Sequence, residues 1–170
     1  MKIININGPI NAGKTTVSKI LADQLRSSLF IEVDNLLSDD EQKAKGLNMQ
    51  EGWQERLKRL KYIIEQEKQK QQYENIIFAY PLTEKTYTEW KQWEDETTKF
   101  ININLAPQLE ICLQNRGKRI LNDQEKNRIK QMYQQGHHNS KFADLIIDNS
   151  IQTPLQTTQQ ILTFLQVKSK

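Results

Sequence analysis

Short apolar runs alternate along the chain with longer stretches in which apolar residues recur every three or four positions. The short runs predict five strands, at residues 2–7, 29–33, 75–80, 99–105 and 143–148. Several are apolar at consecutive positions, which is typical of strands covered on both faces. This alternation predicts an α/β fold, in which a five-stranded parallel sheet forms one three-layer domain with helices on both faces.

The longer stretches predict the helices between these strands. An apolar stripe over residues 50–72 predicts one long helix, and Trp53 belongs to that stripe, so we expect Trp53 in the core. Pro107 fits the first turn of the helix after the fourth strand. Asn122 followed by Glu125 predicts a capping box. No repeat or linker interrupts the pattern, so we expect a single domain over residues 1–170.

Composition and charge narrow the class of protein. The chain has 170 residues, of which 36% are hydrophobic, and its net charge is only +3. So small a charge does not indicate a nucleic acid or a membrane surface as partner. The single cysteine, Cys112, fits a reducing compartment, and no signal peptide or membrane-length apolar stretch is visible. We therefore expect a cytoplasmic protein, either a monomer or a weak dimer.

The stretch "NGPINAGKTT" after the first strand carries the strongest chemical signal. It matches the phosphate-binding pattern G-x-x-x-x-G-K-[ST], with an apolar strand before it and an amphipathic helix after it. In this pattern Lys14 contacts the β- and γ-phosphates and the Thr15 hydroxyl binds Mg²⁺. The sequence thus predicts ATP and Mg²⁺ as ligands, held by Gly8, Asn11, Ala12, Gly13, Lys14, Thr15 and Thr16.

Two large classes of phosphate-binding protein fit less well. A GTPase carries D-x-x-G and N-K-x-D, and neither occurs in this chain. A hydrolytic ATPase has an acidic residue at the end of an apolar strand, yet the third and fourth predicted strands end without one. The fifth ends in Asp148, but "NSIQTP" after it suggests a loop near the base. The transfer of phosphate to another molecule is therefore favoured.

Two acidic residues lie at the end of the predicted second strand, where the carboxyl ends of parallel strands face a ligand crevice. Asp34 is a candidate base for an acceptor hydroxyl, and its alternative is the N-cap of the next helix. Glu32 is expected on the same strand face and is a candidate for holding a Mg²⁺-bound water. Its alternative is a solvated residue at the strand end.

A basic segment, "NRGKR", precedes the capped helix. Arg116 and Arg119 suit a lid at about residues 115–125 that closes over ATP and neutralises charge on the transferred group. The alternative is a solvated basic helix end.

Candidate acceptor residues lie on the long helix and after the third strand. Arg56 is a candidate for binding an anionic group of the acceptor, or a solvated residue near Glu51 and Glu55. Tyr80 either lines the acceptor pocket or completes the core. His137 and His138 are adjacent, so their side chains project differently and do not suggest a shared metal site.

Together, "GPINAGKTT", "IEVD", the arginine-bearing segment and "DNSIQTP" resemble the small P-loop metabolite kinases. The similarity is greatest to the shikimate kinase and chloramphenicol phosphotransferase branch. It implies a P-loop kinase fold with strand order 2-3-1-4-5. It also implies catalytic roles for Lys14, Asp34, Arg116 and Arg119, and an adenine site near residues 148–151. Shikimate kinases carry a glycine triplet after the third strand, whereas this chain has "AYPLT", which argues against shikimate as the acceptor.

We therefore expect an enzyme that transfers the γ-phosphate of ATP to a hydroxyl of a small molecule, either a metabolite or an antibiotic. Two alternatives stay open. One is a nucleoside or nucleotide kinase, and the other is a non-catalytic ATP-binding sensor.

Overall fold

The computed structural model describes residues 1–115 and 120–167, with only the backbone of residue 167. The strands are β1 (Lys2–Asn7), β2 (Ser28–Ile31), β3 (Asn75–Ala79), β4 (Lys99–Leu105) and β5 (Leu145–Ile147). The helices are α1 (Lys14–Gln24), α2 (Asp39–Ala44), α3 (Met49–Lys70), α4 (Glu84–Lys91), α5 (Leu109–Cys112), α6 (Asp123–Gln134) and α7 (Pro154–Val167), and a 3₁₀ helix spans Val33–Leu36.

The five strands form one parallel sheet in the order β2-β3-β1-β4-β5. This confirms the predicted fold and the strand order implied by the resemblance. β1 lies at the centre, paired with β3 on one side and β4 on the other. Because all strands run the same way, their carboxyl ends lie at one edge of the sheet, where ligands bind in open α/β folds.

Two apolar cores cover the two faces of the sheet, because successive strand residues point to opposite faces. Ile4 and Ile6 of β1 belong to the first core, together with side chains of α1, α5, α6 and α7. Ile3 belongs to the second core, with side chains of α3 and α4. Cys112 is fully buried in the first core, as expected. Over the described residues, no helix has the length and apolar character needed to cross a membrane.

The sequence signals for the start of helices agree with the structure. In α6 the Asn122 side chain accepts from the Glu125 N–H at 2.8 Å, while Glu125 accepts from the Asn122 N–H. The Thr153 hydroxyl likewise accepts from the backbone N–H of Gln156 in the first turn of α7. These groups lie within three residues of each other, so a short stretch of sequence is enough to specify them.

Some predicted boundaries are wrong. β2 ends at Ile31, and the chain turns into the 3₁₀ helix, so Glu32 and Asp34 do not share a strand face. β2 is the edge strand next to β3, and its pairing with β3 stops at Ile31. Pro107 precedes α5, which begins two residues later at Leu109.

Candidate active site

The loop between β1 and α1 requires unusual backbone conformations. Gly8 has φ +134° and Gly13 has φ +89°, and Asn11 is also left-handed at φ +65°. A Cβ atom on Gly8 would lie only 2.5 Å from the Leu105 carbonyl oxygen of β4. Glycine is therefore needed at position 8 both for its φ angle and for the close approach of two backbones.

Three asparagines hold this loop in place through hydrogen bonds that sequence reasoning missed. Asn7 Oδ1 accepts from the Gly8 N–H at 2.8 Å. Asn11 Nδ2 donates to the carbonyls of Cys112 and Gln114 at 2.9 and 2.8 Å. From the end of β5, Asn149 Nδ2 donates to the Ala12 carbonyl at 3.0 Å. The loop is thus fixed by the protein itself, on three sides.

The loop leads into the N-terminus of α1, where Lys14, Thr15 and Thr16 form the first turn. The Lys14 ammonium donates to the Pro9 carbonyl at 2.7 Å and so lies across the loop. The positive end of the helix dipole at this N-terminus favours an anion. Curled backbone, helix N-terminus and lysine together fit a triphosphate chain.

Residues of this chain also fit a magnesium ion that is held mainly by the nucleotide. No group of three or more His, Cys, Asp or Glu side chains able to hold a metal occurs within residues 1–115 and 120–167. Mg²⁺ in phosphoryl-transfer sites commonly takes one or two protein ligands and completes its shell with phosphate oxygens and water. The Thr15 hydroxyl is suited to be such a ligand.

Asp34 lies in the 3₁₀ helix directly after β2, at the carboxyl edge, and it is exposed. Its alternative role as an N-cap is wrong, because the Ser38 hydroxyl caps α2 by accepting from the Glu41 N–H. The Asp34 carboxylate is therefore not used in capping α2. Its backbone carbonyl accepts from Arg56 Nε at 3.4 Å, which fixes the main chain of Asp34.

Glu32 forms an ion pair with Lys19 of α1 at 3.0 Å, and its side chain is 31% exposed. This pair links the segment after β2 to the helix that follows the phosphate loop. Binding of a Mg²⁺-bound water by Glu32 stays a prediction, since it would compete with Lys19.

Arg56 is 8% exposed, so the expectation of a solvated arginine is wrong. Its nitrogens donate to the Asp34 carbonyl, to Gln42 Oε1 at 3.0 Å and to the Leu37 carbonyl at 2.8 Å. The guanidinium therefore holds the chain from the 3₁₀ helix to α2 against α3. Direct binding of an acceptor by Arg56 stays a prediction, and it would require exchange of one of these partners.

Trp53 does not lie in the core, contrary to expectation. It is 37% exposed, because it is near the start of α3, where the helix reaches the carboxyl edge of the sheet. Its ring centroid lies 6.0 Å from that of Tyr80, and the Arg56 guanidinium lies 5.2 Å from the Trp53 ring. Tyr80 is half-buried, and burial raises the pKa of its hydroxyl, which stays protonated at neutral pH. Trp53, Arg56 and Tyr80 thus form one cluster beside Asp34.

The two histidines differ, as their adjacency predicted. The His138 ring stacks on Tyr133 at 4.7 Å, and its carbonyl accepts from Asn104 Nδ2. Burial lowers the pKa of His137, and the positive charges of Arg128 and Lys14 lower it further. The side chain of His137 is therefore neutral at pH 7. The positive charge of Lys14 in the phosphate loop contributes to this lowered pKa.

The lid arginines, Arg116 and Arg119, lie outside the described residues. Nearby, Asn11 contacts the chain just before that segment, as described above. In the stretch expected to border adenine, Ser150 donates to Asp148 Oδ1 from both its backbone N–H and its hydroxyl, and these bonds lower the pKa of Asp148.

Comparison with known proteins relates this chain to a kinase family. The family model for shikimate kinase matches residues 10–166. A search of curated protein sequences gave no significant match.

Solved structures with the same architecture come from several bacteria. A shikimate kinase from Aquifex aeolicus aligns over 99% of this chain and 98% of its own, with a TM-score of 0.60 at 20% identity. A shikimate kinase from Acinetobacter baumannii in complex with shikimate aligns over 98% and 93%, with a TM-score of 0.64 at 17% identity. A gluconokinase from Sinorhizobium meliloti aligns over 99% and 98%, with a TM-score of 0.62 at 13% identity. At such low identities, the structural similarity establishes the fold alone.

Proposed function

The chain belongs to the shikimate kinase family, and from this premise we propose that it moves the γ-phosphoryl group of ATP to a hydroxyl of a small molecule, with Asp34 as the base. The family makes it a P-loop kinase that acts on hydroxyl groups. The acceptor, a metabolite or an antibiotic, and the residue roles below are our proposals.

One observation carries the proposal: a preformed phosphate loop and an exposed carboxylate occur at the same edge of the sheet. The loop ends at Lys14 on the central strand's side, and Asp34 follows β2, two strands away. A nucleotide-binding module without transfer activity needs the phosphate loop but does not need an exposed carboxylate at this edge of the sheet. The presence of Asp34 therefore favours a kinase.

On the nucleotide side, the loop backbone and the N-terminus of α1 would bind the phosphates of ATP, and Lys14 would leave Pro9 to contact the β- and γ-phosphates. Thr15 would hold Mg²⁺, which neutralises charge on the phosphate oxygens when bound. Arg116 and Arg119, which the sequence suggests as lid residues, would neutralise further charge on the transferred phosphoryl group.

On the acceptor side, Asp34 would accept the proton of the hydroxyl as its oxygen forms a bond to the γ-phosphorus. The bond between that phosphorus and the β,γ-bridging oxygen breaks, and ADP leaves with the electron pair. Arg56 would act by holding the main chain of Asp34 in place, and Tyr80 would contact the acceptor.

The test is ADP release from Mg-ATP with pools of hydroxylated metabolites, nucleosides and antibiotics, for the wild type, Asp34→Asn and Asp40→Asn. We expect acceptor-dependent turnover to fall by roughly 10²–10⁴-fold in Asp34→Asn, because the amide cannot take the proton. The ATP dissociation constant should stay within about twofold, since Asp34 is not part of the phosphate loop. Asp40 is an exposed acid on neighbouring α2 and serves as the matched control.

Unchanged turnover in Asp34→Asn would remove Asp34 as the base. Stimulation by the nucleoside pool alone, with inhibition by a bisubstrate dinucleoside polyphosphate, would point to a nucleoside or nucleotide kinase. Tight ATP binding without stimulation by any pool would favour the sensor.

A further inference from the structure

The segment Tyr80–Leu82 continues beside β1 after β3 has ended at Ala79, and asparagine side chains of β1 hold it there. Asn5 Nδ2 donates to the Tyr80 carbonyl, and Asn5 Oδ1 accepts from the Tyr80 N–H, both at 3.0 Å. Asn7 Oδ1 accepts from the Leu82 N–H at 3.1 Å. The Tyr80 N–H also donates to the Ile6 carbonyl of β1 at 3.3 Å, so the two side chains reinforce the backbone bond that continues the sheet here.

The two asparagines of this clamp are themselves held by further contacts. Both Asn5 and Asn7 are fully buried. Asn5 Nδ2 also donates to Asn102 Oδ1 of β4 at 2.9 Å, while Asn7 Oδ1 also accepts from the Gly8 N–H. Buried amides with several partners have one favourable orientation, so the position of the segment is set by the sheet.

The clamp also decides which groups the segment can offer to a ligand. The N–H groups of Tyr80 and Leu82 are taken by Asn5 and Asn7, and Pro81 has no N–H. The Tyr80 carbonyl is taken as well. The backbone N–H groups of this segment are therefore already paired, and its partly exposed side chains are those of Tyr80 and Pro81.

That side chain joins an aromatic surface next to the candidate base. The Tyr80 ring lies 6.0 Å from the half-exposed Trp53 ring and 5.9 Å from buried Trp90, which supports it from within the core. Arg56 connects this surface to the site, because it contacts both the Trp53 ring and the Asp34 carbonyl. Trp53 and Tyr80 therefore form a wall beside Asp34.

We propose that this wall of Trp53 and Tyr80, in which Asn5 holds the Tyr80 backbone, selects hydroxylated acceptors with a flat apolar face. Such a face occurs on a pyranose ring and on an aromatic ring, and both stack on aromatic side chains. An open-chain polyol has no fixed flat face and loses more conformational freedom on binding. The inference rests on the proposed kinase function and adds the class of acceptor.

The first test compares cyclic and open-chain acceptors in the same ADP-release assay. Methyl and phenyl β-D-glucopyranoside and adenosine represent ring acceptors, and glycerol, D-sorbitol and D-gluconate represent open chains. We expect turnover with ring acceptors only. A preference between the methyl glycoside and the aromatic compounds then separates the pyranose face from the aromatic face as the stacking partner.

The second test uses variants with the best acceptor from this panel. Trp53→Ala should raise the KM for the acceptor roughly tenfold and leave the KM for ATP within twofold, whereas Trp53→Phe should keep most of the affinity. Tyr62→Ala is the control, because Tyr62 is an exposed aromatic on the same helix. Asn5→Leu should also raise the acceptor KM, unlike Asn104→Leu. Asn104 is equally buried, and its amide donates to the His138 carbonyl at 3.0 Å.

The outcomes separate this inference from the function on which it rests. Efficient use of open-chain acceptors, or an unchanged acceptor KM in Trp53→Ala, would overturn the aromatic wall and leave the kinase intact. Tight ATP binding with no turnover of either group would overturn both.

Discussion

Arg56 shows how a single residue can matter to this site through its position. Its side chain is long and charged, yet it is buried because three acceptor oxygens from the chain between the 3₁₀ helix and α2 surround it. A buried guanidinium is stable only where its donors are satisfied. The carbonyl of the candidate base is one of these acceptors, so the stability of this region and the position of Asp34 depend on the same group.

We therefore predict that Arg56→Ala lowers the free energy of unfolding by about 2–4 kcal/mol, because the Leu37 carbonyl and Gln42 lose a charged donor. Urea unfolding measures this change. Lys58→Ala, at an exposed position of the same helix, should change stability by less than about 0.5 kcal/mol. A loss below about 1 kcal/mol for Arg56→Ala would show that solvent can replace its partners.

At the scale of elements, the phosphate loop is shaped by its neighbours as much as by its own residues. Gly8 packs closely against β4. Asn11 of the loop donates to the Cys112 carbonyl of α5, and Asn149 after β5 donates to the Ala12 carbonyl of the loop. The conformation of the loop is therefore set by contacts within the protein, which would reduce the entropy that nucleotide binding must cost.

Gly8→Ala should destabilise the protein by about 3 kcal/mol, because the new Cβ combines an unfavourable φ with overlap on the Leu105 carbonyl. ATP affinity should fall more than tenfold as the loop backbone moves. Gly46→Ala is the matched control, since Gly46 is also left-handed but has open space around its Cβ position. It should cost about 1 kcal/mol and leave ATP binding unchanged. Equal costs for the two variants would mean that the contact with β4 relaxes freely.

At the scale of the whole molecule, ligand binding and folding are coupled. The phosphate loop follows β1, the 3₁₀ helix follows β2 and the clamped segment Tyr80–Leu82 follows β3. One sheet with two cores therefore positions all three. A ligand that binds only this assembled edge stabilises the whole fold by mass action.

Mg-ATP at about 100 times its dissociation constant should add about 2.7 kcal/mol of stability, or about 5–10 °C in Tm. Differential scanning calorimetry measures this shift. In Lys14→Ala the shift at the same ATP concentration should be small, while Lys43→Ala, an exposed position on α2, should retain it. A full shift in Lys14→Ala would place nucleotide binding elsewhere on the molecule.

Much of the fold could be predicted because its signals are local. The alternation of apolar patterns, the capping box at Asn122 and the phosphate-loop motif each lie within a short stretch of chain. The predicted strand boundaries were less accurate at β2. It is an edge strand, and its length depends on how far it pairs with β3. The asparagines of β1 and β4 left a visible signal, since "ININ" occurs at residues 4–7 and 101–104 and brings Asn5 beside Asn102.

The sequence by itself determined the class of fold, the phosphate loop and the acid that follows β2, because apolar periodicity and motif spacing are properties of neighbouring residues. Only the tertiary structure decided that Arg56 is buried, that Trp53 is exposed beside Tyr80, and that Asn5 and Asn7 hold Tyr80–Leu82. Asn5 and Tyr80 lie 75 positions apart in the chain. The partners of these side chains come from distant strands and helices, so their hydrogen bonds and burial exist only once the sheet has assembled.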